Sequence, residues 1–138
     1  MIIMKEQKIS FPAASENVSI VENLIDEICI RYKVNEDHYG NILVALTEAV
    51  NNAILHGCKA NPNKTVEVTF ETDEKELCFE VRDQGDGFDH EKLPDPTSPE
   101  NIEKPNGRGV FLMKNLADVI EFKDQGRTVS LKFKLFAN

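Results

Sequence analysis

Apolar residues between Ile42 and Ile54 recur three and four positions apart: Ile42, Leu43, Leu46, Ala49, Val50, Ala53 and Ile54. That spacing predicts an amphipathic helix. Asn35 is placed to cap it, the acidic Glu36 and Asp37 fall in its first turn, and the periodicity carries it to His56. Gly57 follows as the residue expected in a left-handed conformation after the last turn. An earlier helix is predicted from Val18, Val21, Leu24, Ile25, Ile28 and Cys29, with Ser15 as its N-cap and its end near Tyr32. Before it, Lys5 to Phe11 alternates weakly and reads as a short strand stopped by Pro12.

After a turn-rich stretch from Cys58 to Lys64, the period changes from helical to alternating. Val66, Val68 and Phe70 predict one half-buried strand and Leu77, Phe79 and Val81 another, joined at Asp73-Glu74-Lys75. From His90 to Asn106 the chain holds Pro94, Pro96, Pro99 and Pro105 and only Leu93 and Ile102 as aliphatic residues, a composition expected of a lid rather than of a packed element. Val110, Leu112, Met113 and Leu116 mark a third helix. Val119–Lys123 and Thr128–Phe136 then predict a closing hairpin around Asp124-Gln125-Gly126-Arg127. The pattern predicts one α+β domain over residues 1–138, a two-layer sandwich of a mixed, mainly antiparallel sheet covered on one face by about three helices.

Composition narrows the function classes. The 138 residues are 41% apolar and 29% charged, ordinary values for a globular domain. A net charge of −8 with singly scattered basic residues argues against direct nucleic-acid or anionic-membrane partners. Cys29, Cys58 and Cys78 are odd in number and far apart, which predicts neither a disulfide framework nor a zinc site and fits a reducing, cytoplasmic setting. The opening Met1-Ile2-Ile3-Met4 is too short for an export signal, and no apolar run reaches the ~18 residues of a membrane span.

Three segments carry candidate chemistry. Glu48, Asn52 and His56 form an i, i+4, i+8 stripe beside the apolar face of the central helix, readable either as a polar boundary or as the wall of a cleft. Asp83-x-Gly85-x-Gly87 ends a strand with a carboxylate that can accept from an exocyclic amino group, followed by glycines that let a flat ring approach the backbone. A calcium loop is excluded because Pro94 stands where the bidentate glutamate would be. Gly107-x-Gly109 opens a predicted helix, where free N–H groups suit phosphate. It is neither a Walker A loop nor a dinucleotide fingerprint, and a plain glycine turn has comparable standing.

In combination these segments resemble the GHKL (Bergerat-fold) ATP-binding domain. The wording Glu48-Ala49-Val50-Asn51-Asn52-Ala53-Ile54-Leu55-His56-Gly57, Asp83-Gln84-Gly85-Asp86-Gly87-Phe88 and Gly107-Arg108-Gly109-Val110-Phe111-Leu112-Met113 is similar, within that superfamily, to the anti-sigma factor serine-protein kinases of bacterial partner switching. The resemblance implies ATP and Mg²⁺ as cofactors. It implies Glu48 as general base, Asn52 as magnesium ligand, Asp83 with Gly85 and Gly87 at the adenine, and Gly107 and Gly109 at the phosphates. Thr128 would complete the adenine site, although Arg127 stands where many relatives carry a small residue. Arg108 could serve phosphate, a partner protein or solvent alike. His56 is expected to be structural. The implied partners are a small anti-sigma factor antagonist as phosphoacceptor, a sigma factor and a second copy of the chain in a homodimer. A kinase or nucleotide-gated binding protein acting on another regulator, such as a phosphatase, is the alternative. Sensor histidine kinases need an upstream helix for which a chain opening directly on a strand leaves no room.

Overall fold

A computed structural model describes residues 5–73, 75–85 and 105–135. The first strand, β1 (Lys5–Pro12), leads through a single 3₁₀ turn (Ser15–Asn17) into helix α1 (Val18–Arg31). Helix α2 (Glu36–Asn52) follows and continues as a π-helical turn (Ala53–Gly57). Strands β2 (Thr65–Thr72) and β3 (Glu76–Asp83) form a hairpin; helix α3 (Pro105–Leu116) precedes β4 (Val119–Lys123) and β5 (Thr128–Lys134). The sheet order is β1-β2-β3-β5-β4, and all four pairings are antiparallel.

The two-layer α+β architecture follows from the alternation along each strand. On β2 and β3 every second residue is buried, so Val66, Val68, Phe70, Leu77, Phe79 and Val81 share one face, joined there by Val129, Leu131 and Phe133 of β5. Against this face pack Val21, Leu24, Ile25 and Ile28 of α1 and Ile42, Leu46, Ala49 and Val50 of α2, all in one continuous core. An aromatic row crosses the sheet: Phe70 and Phe79 lie with ring centroids 5.2 Å apart, Phe79 and Phe133 6.1 Å apart, and Tyr32 caps the row 5.8 Å from Phe70. The opposite face carries charged and polar side chains, with Glu80 bridging to Lys123 at 3.5 Å.

Local signals at the helix ends are obeyed in part. Asn35 caps α2 as expected, its side-chain oxygen accepting from the His38 N–H at 2.9 Å. Ser15 does not cap α1: the 3₁₀ turn intervenes, and no side chain caps either segment there. Instead the Asn17 side-chain amide donates back to the Pro12 carbonyl at 2.8 Å and ties the turn to the end of β1. The two long helices are joined by the Tyr39 hydroxyl, which donates to the Asp26 carboxylate at 2.6 Å. Among the described residues, no helix is long and apolar enough to cross a membrane.

Phe79 stands at the centre of the aromatic row and is fully buried. Phe79→Ala is expected to destabilise the fold by about 3–5 kcal/mol, read as a lowered denaturant midpoint with the slope unchanged.

Candidate functional site

The end of α2 departs from α-helical geometry, and that departure builds the site. The Cys58 N–H bonds the Ala53 carbonyl, five residues back, at 2.8 Å, and the Ala60 N–H bonds the Ile54 carbonyl at 2.7 Å. The left-handed residues that stop the helix are Lys59 and Ala60, at φ 54° and 55°, and not Gly57. Gly57 is required for a different reason. A Cβ there would lie 2.5 Å from both Cγ and Oδ2 of Asp83, and a Cβ on Gly85 would fall on the Gly57 carbonyl. The helix end and the end of β3 therefore meet with backbone and carboxylate in direct contact, which only glycine permits. The π turn also breaks the i, i+4, i+8 stripe: Asn52 is buried, whereas His56 turns out to solvent.

Asp83, Gly85 and Arg127 are linked by three hydrogen bonds. The Gly85 N–H donates to Asp83 Oδ1 at 2.8 Å, Arg127 Nε donates to the Gly85 carbonyl at 2.8 Å, and the Asp83 N–H donates to the Arg127 carbonyl at 2.9 Å. Burial pushes the Asp83 carboxyl above its usual value, an effect opposed by the Gly85 N–H and by the Arg127 and Lys64 charges. Asp83 stands at the polar end of a cleft enclosing about 260 Å³, whose walls are Ala49, Asn52, Ala53, Val81, Met113, Phe122, Gly126, Arg127 and Val129. Flat apolar walls closed by one buried acceptor suit a heteroaromatic ring with an exocyclic amino group.

Thr128 does not line this cleft. Alternation along β5 sends Val129, Leu131 and Phe133 to the helix side, so Thr128 falls on the other side of the strand, where it is buried opposite Arg82 and Lys123. The residue that enters the cleft is its neighbour Arg127, delivered by a turn in which Asp124, Gln125 and Gly126 all have positive φ.

Glu48 and Asn52, one turn apart on α2, converge on Gly109 of α3. A Cβ on Gly109 would sit 3.0 Å from Glu48 Oε2 and 3.2 and 3.3 Å from the two polar atoms of the Asn52 amide. Gly109 is the fifth residue of a helix that starts at Pro105, and an N–H that far in is turned toward the carbonyl four residues back. Its place in the site is the room it leaves for the carboxylate and the amide. Gly107 lies in the first turn, where helix N–H groups have no intrahelical partner. Pro105 and Asn106, the last residues of the expected lid, belong to α3; Gly87 and the rest of the lid expectation, 90–104, fall outside the described residues, as does the side chain of Arg108. The sequence pattern thus names Glu48, Asn52, Asp83 and Gly85, which the fold brings together. It misses Arg127 and the Gly57 contact. Val81, two residues before Asp83 on the same strand face, was the readable hint of the apolar wall.

Residues 11–133 match the family described as Histidine kinase-like ATPase domain. The chain is 32% identical over 128 residues to Serine-protein kinase RsbW of Staphylococcus aureus strains JH9 and Newman, an overlap of 87% of this chain and 80% of those relatives. Among solved structures, that of the RsbU and RsbW domains of Rv1364c from Mycobacterium tuberculosis superposes with a TM-score of 0.65 at 16% identity, over 95% of this chain and 32% of that longer one. At that identity the likeness is one of fold.

The Gly57–Asp83–Gly85 contact has a direct consequence for stability. Gly57→Ala is expected to push the Asp83 carboxylate aside and destabilise the protein by about 1–3 kcal/mol, as overpacking does. Gly85→Ala, which collides with backbone instead of a side chain, should lower the urea midpoint further than Gly57→Ala.

Proposed function

The chain belongs to the histidine kinase-like ATPase domain family, and we propose that it is a single-domain anti-sigma factor kinase of a partner-switching module. It is a serine/threonine kinase of the GHKL type that uses ATP. In our reading it phosphorylates a small anti-sigma factor antagonist, binds a sigma factor and works as a homodimer, with residues 90–106 forming a lid over the nucleotide. The observation that carries this reading is the meeting of Glu48 and Asn52 against Gly109 beside an apolar cleft that ends in Asp83.

Each residue then has a role that its surroundings support. Asp83 accepts from the exocyclic amino group through the carboxylate oxygen not engaged by the Gly85 N–H. Ala49, Ala53, Val81, Met113 and Val129 exclude water from the faces of the ring. The first-turn N–H groups of α3, including that of Gly107, suit the phosphates, since a helix N-terminus favours negative charge. Gly85 and Gly87 let the ring approach the backbone, and Arg108 adds positive charge near the phosphate end. Glu48 holds the attacking hydroxyl and takes its proton at a carboxylate oxygen as the new P–O bond forms.

Magnesium fits the donor set. The Asn52 amide and the Glu48 carboxylate offer oxygens side by side, the ligand type that a hard divalent cation selects. Asn52 would hold the ion, which when bound neutralises phosphate charge and keeps several waters. Phosphoryl transfer asks the protein mainly for positioning and charge neutralisation, and this set of residues supplies both.

The test is transfer of γ-phosphate to a candidate antagonist protein. Glu48→Gln should lower the transfer rate by at least ~10²-fold, the scale of a lost general base, while ATP affinity stays at the wild-type value; equal rates would refute the kinase reading.

Asp83→Asn separates stability from binding. Burial raises the Asp83 pKa above its usual 3.8, so the fold binds this proton more tightly than the unfolded chain. The carboxylate therefore lowers stability as pH rises from 3.8 through the raised value. Asp83→Asn should leave the unfolding midpoint at pH 7 at or above wild type while weakening ATP binding. Wild-type ATP affinity should fall on acidification with a midpoint above 3.8, because the protonated carboxyl would turn a donor toward the amino group.

A further inference from the structure

We propose that Arg127 reads the nucleobase, its guanidinium donating to a ring nitrogen that flanks the amino group bound by Asp83. The inference rests on the nucleotide reading above and adds to it a residue that the family resemblance assigns no role. Arg127 lines the same cleft as Asp83, at the same end. Its Nε is fixed on the Gly85 carbonyl at 2.8 Å, and its backbone carbonyl accepts from the Asp83 N–H at 2.9 Å. The side chain is therefore held from both ends against the strand terminus that carries the acceptor.

The rest of the guanidinium is held more loosely. Nη1 reaches the Asp124 carbonyl at 3.5 Å, the Gln125 side-chain oxygen at 3.4 Å and the Asp124 carboxylate at 3.5 Å, at the outer limit for hydrogen bonds and on exposed residues. These contacts can be exchanged for a ligand at little loss. A guanidinium presents five donors in a rigid plane, so Nε can stay on Gly85 while another N–H faces the base. Beside the Asp83 carboxylate this makes an acceptor–donor pair. The amino group and adjacent ring nitrogen of adenine form the complementary donor–acceptor pair.

The backbone that delivers Arg127 supports a binding role. Asp124 and Gln125 adopt φ of 53° and 57°, a conformation uncommon outside glycine, followed by Gly126 at 84°. Strain of this kind is kept where the surrounding structure needs a particular side-chain placement. Here the turn brings Arg127, and not Thr128, to the cleft.

The experiment measures binding of ATP, 1-deaza-ATP and 7-deaza-ATP with magnesium to the full chain, by calorimetry, for wild type, Arg127→Ala and Arg127→Lys. One of the deaza analogues, in which the accepting nitrogen is a C–H, should bind wild type ~10- to 100-fold more weakly than ATP, the range for a hydrogen bond to a charged donor. Arg127→Ala should bind ATP more weakly by a similar factor and should no longer distinguish that analogue from ATP. Arg127→Lys, which cannot keep Gly85 and the base together, should lose the same discrimination. If neither analogue is penalised by wild type, the proposal fails, and this arm stands even if a variant does not fold. If Arg127→Ala weakens all three ligands equally and keeps the penalty, Arg127 is only a clamp on Gly85 and the proposal is overturned. Absence of ATP binding by wild type would overturn the nucleotide reading itself, a result distinct from either.

Discussion

The contact on which the site depends is made by a residue with no side chain. Gly57 lets the end of α2 lie directly on the Asp83 carboxylate, and Gly85 lets the backbone beyond β3 lie directly on the Gly57 carbonyl. Helix and strand are thereby fixed to each other at the point where the apolar layer between them ends. Every other member of the site is positioned from that junction. Asn52 and Glu48 stand one and two turns back along α2, the cleft opens between α2 and β3, and Arg127 is hydrogen-bonded to Asp83 and Gly85 themselves.

The same junction explains why a carboxylate is tolerated at a buried position. Burial disfavours the charged form of Asp83, and the Gly85 N–H and the Arg127 guanidinium offset part of that penalty. What remains is a destabilised acceptor, held rigid by its neighbours. Such a group gains more from an incoming N–H donor than a solvated carboxylate would, because its second oxygen has already lost most of its water. Stability is supplied elsewhere, by the aromatic row of Phe70, Phe79 and Phe133, one end of the hairpin away from Asp83.

Much of this was legible in the sequence where a residue's role follows from periodicity. The 3.6-residue spacing of Ile42 to Ala53 places Glu48 and Asn52 on one flank of α2, and alternation along Leu77 to Val81 carries Asp83 to the helix-facing side of β3. The failures occur where periodicity is interrupted. The π turn adds a residue to the last helical turn, so His56 leaves the stripe and Gly57 serves packing instead of chain reversal. At the other end of the cleft, the turn through Asp124 and Gln125 is built from residues that do not advertise a left-handed backbone, and it exchanges Thr128 for Arg127. Ser15 fails as a cap because a 3₁₀ turn, stabilised by Asn17, precedes α1. In each case the deciding interaction is a tertiary contact or a backbone state that local propensity does not encode.

The π turn makes chain length in this segment a matter of single residues. A helix that loses one residue between Ala53 and Leu55 could re-form a regular α-helical turn and keep its apolar face up to Val50. The residues after the deletion would be rotated by roughly 100°, and the glycine would no longer meet the aspartate. Homologous chains are therefore free to drift in amino-acid identity around this helix but not in the number of residues that separates Asn52 from Gly57. An insertion or deletion there would leave a protein that folds and has no site.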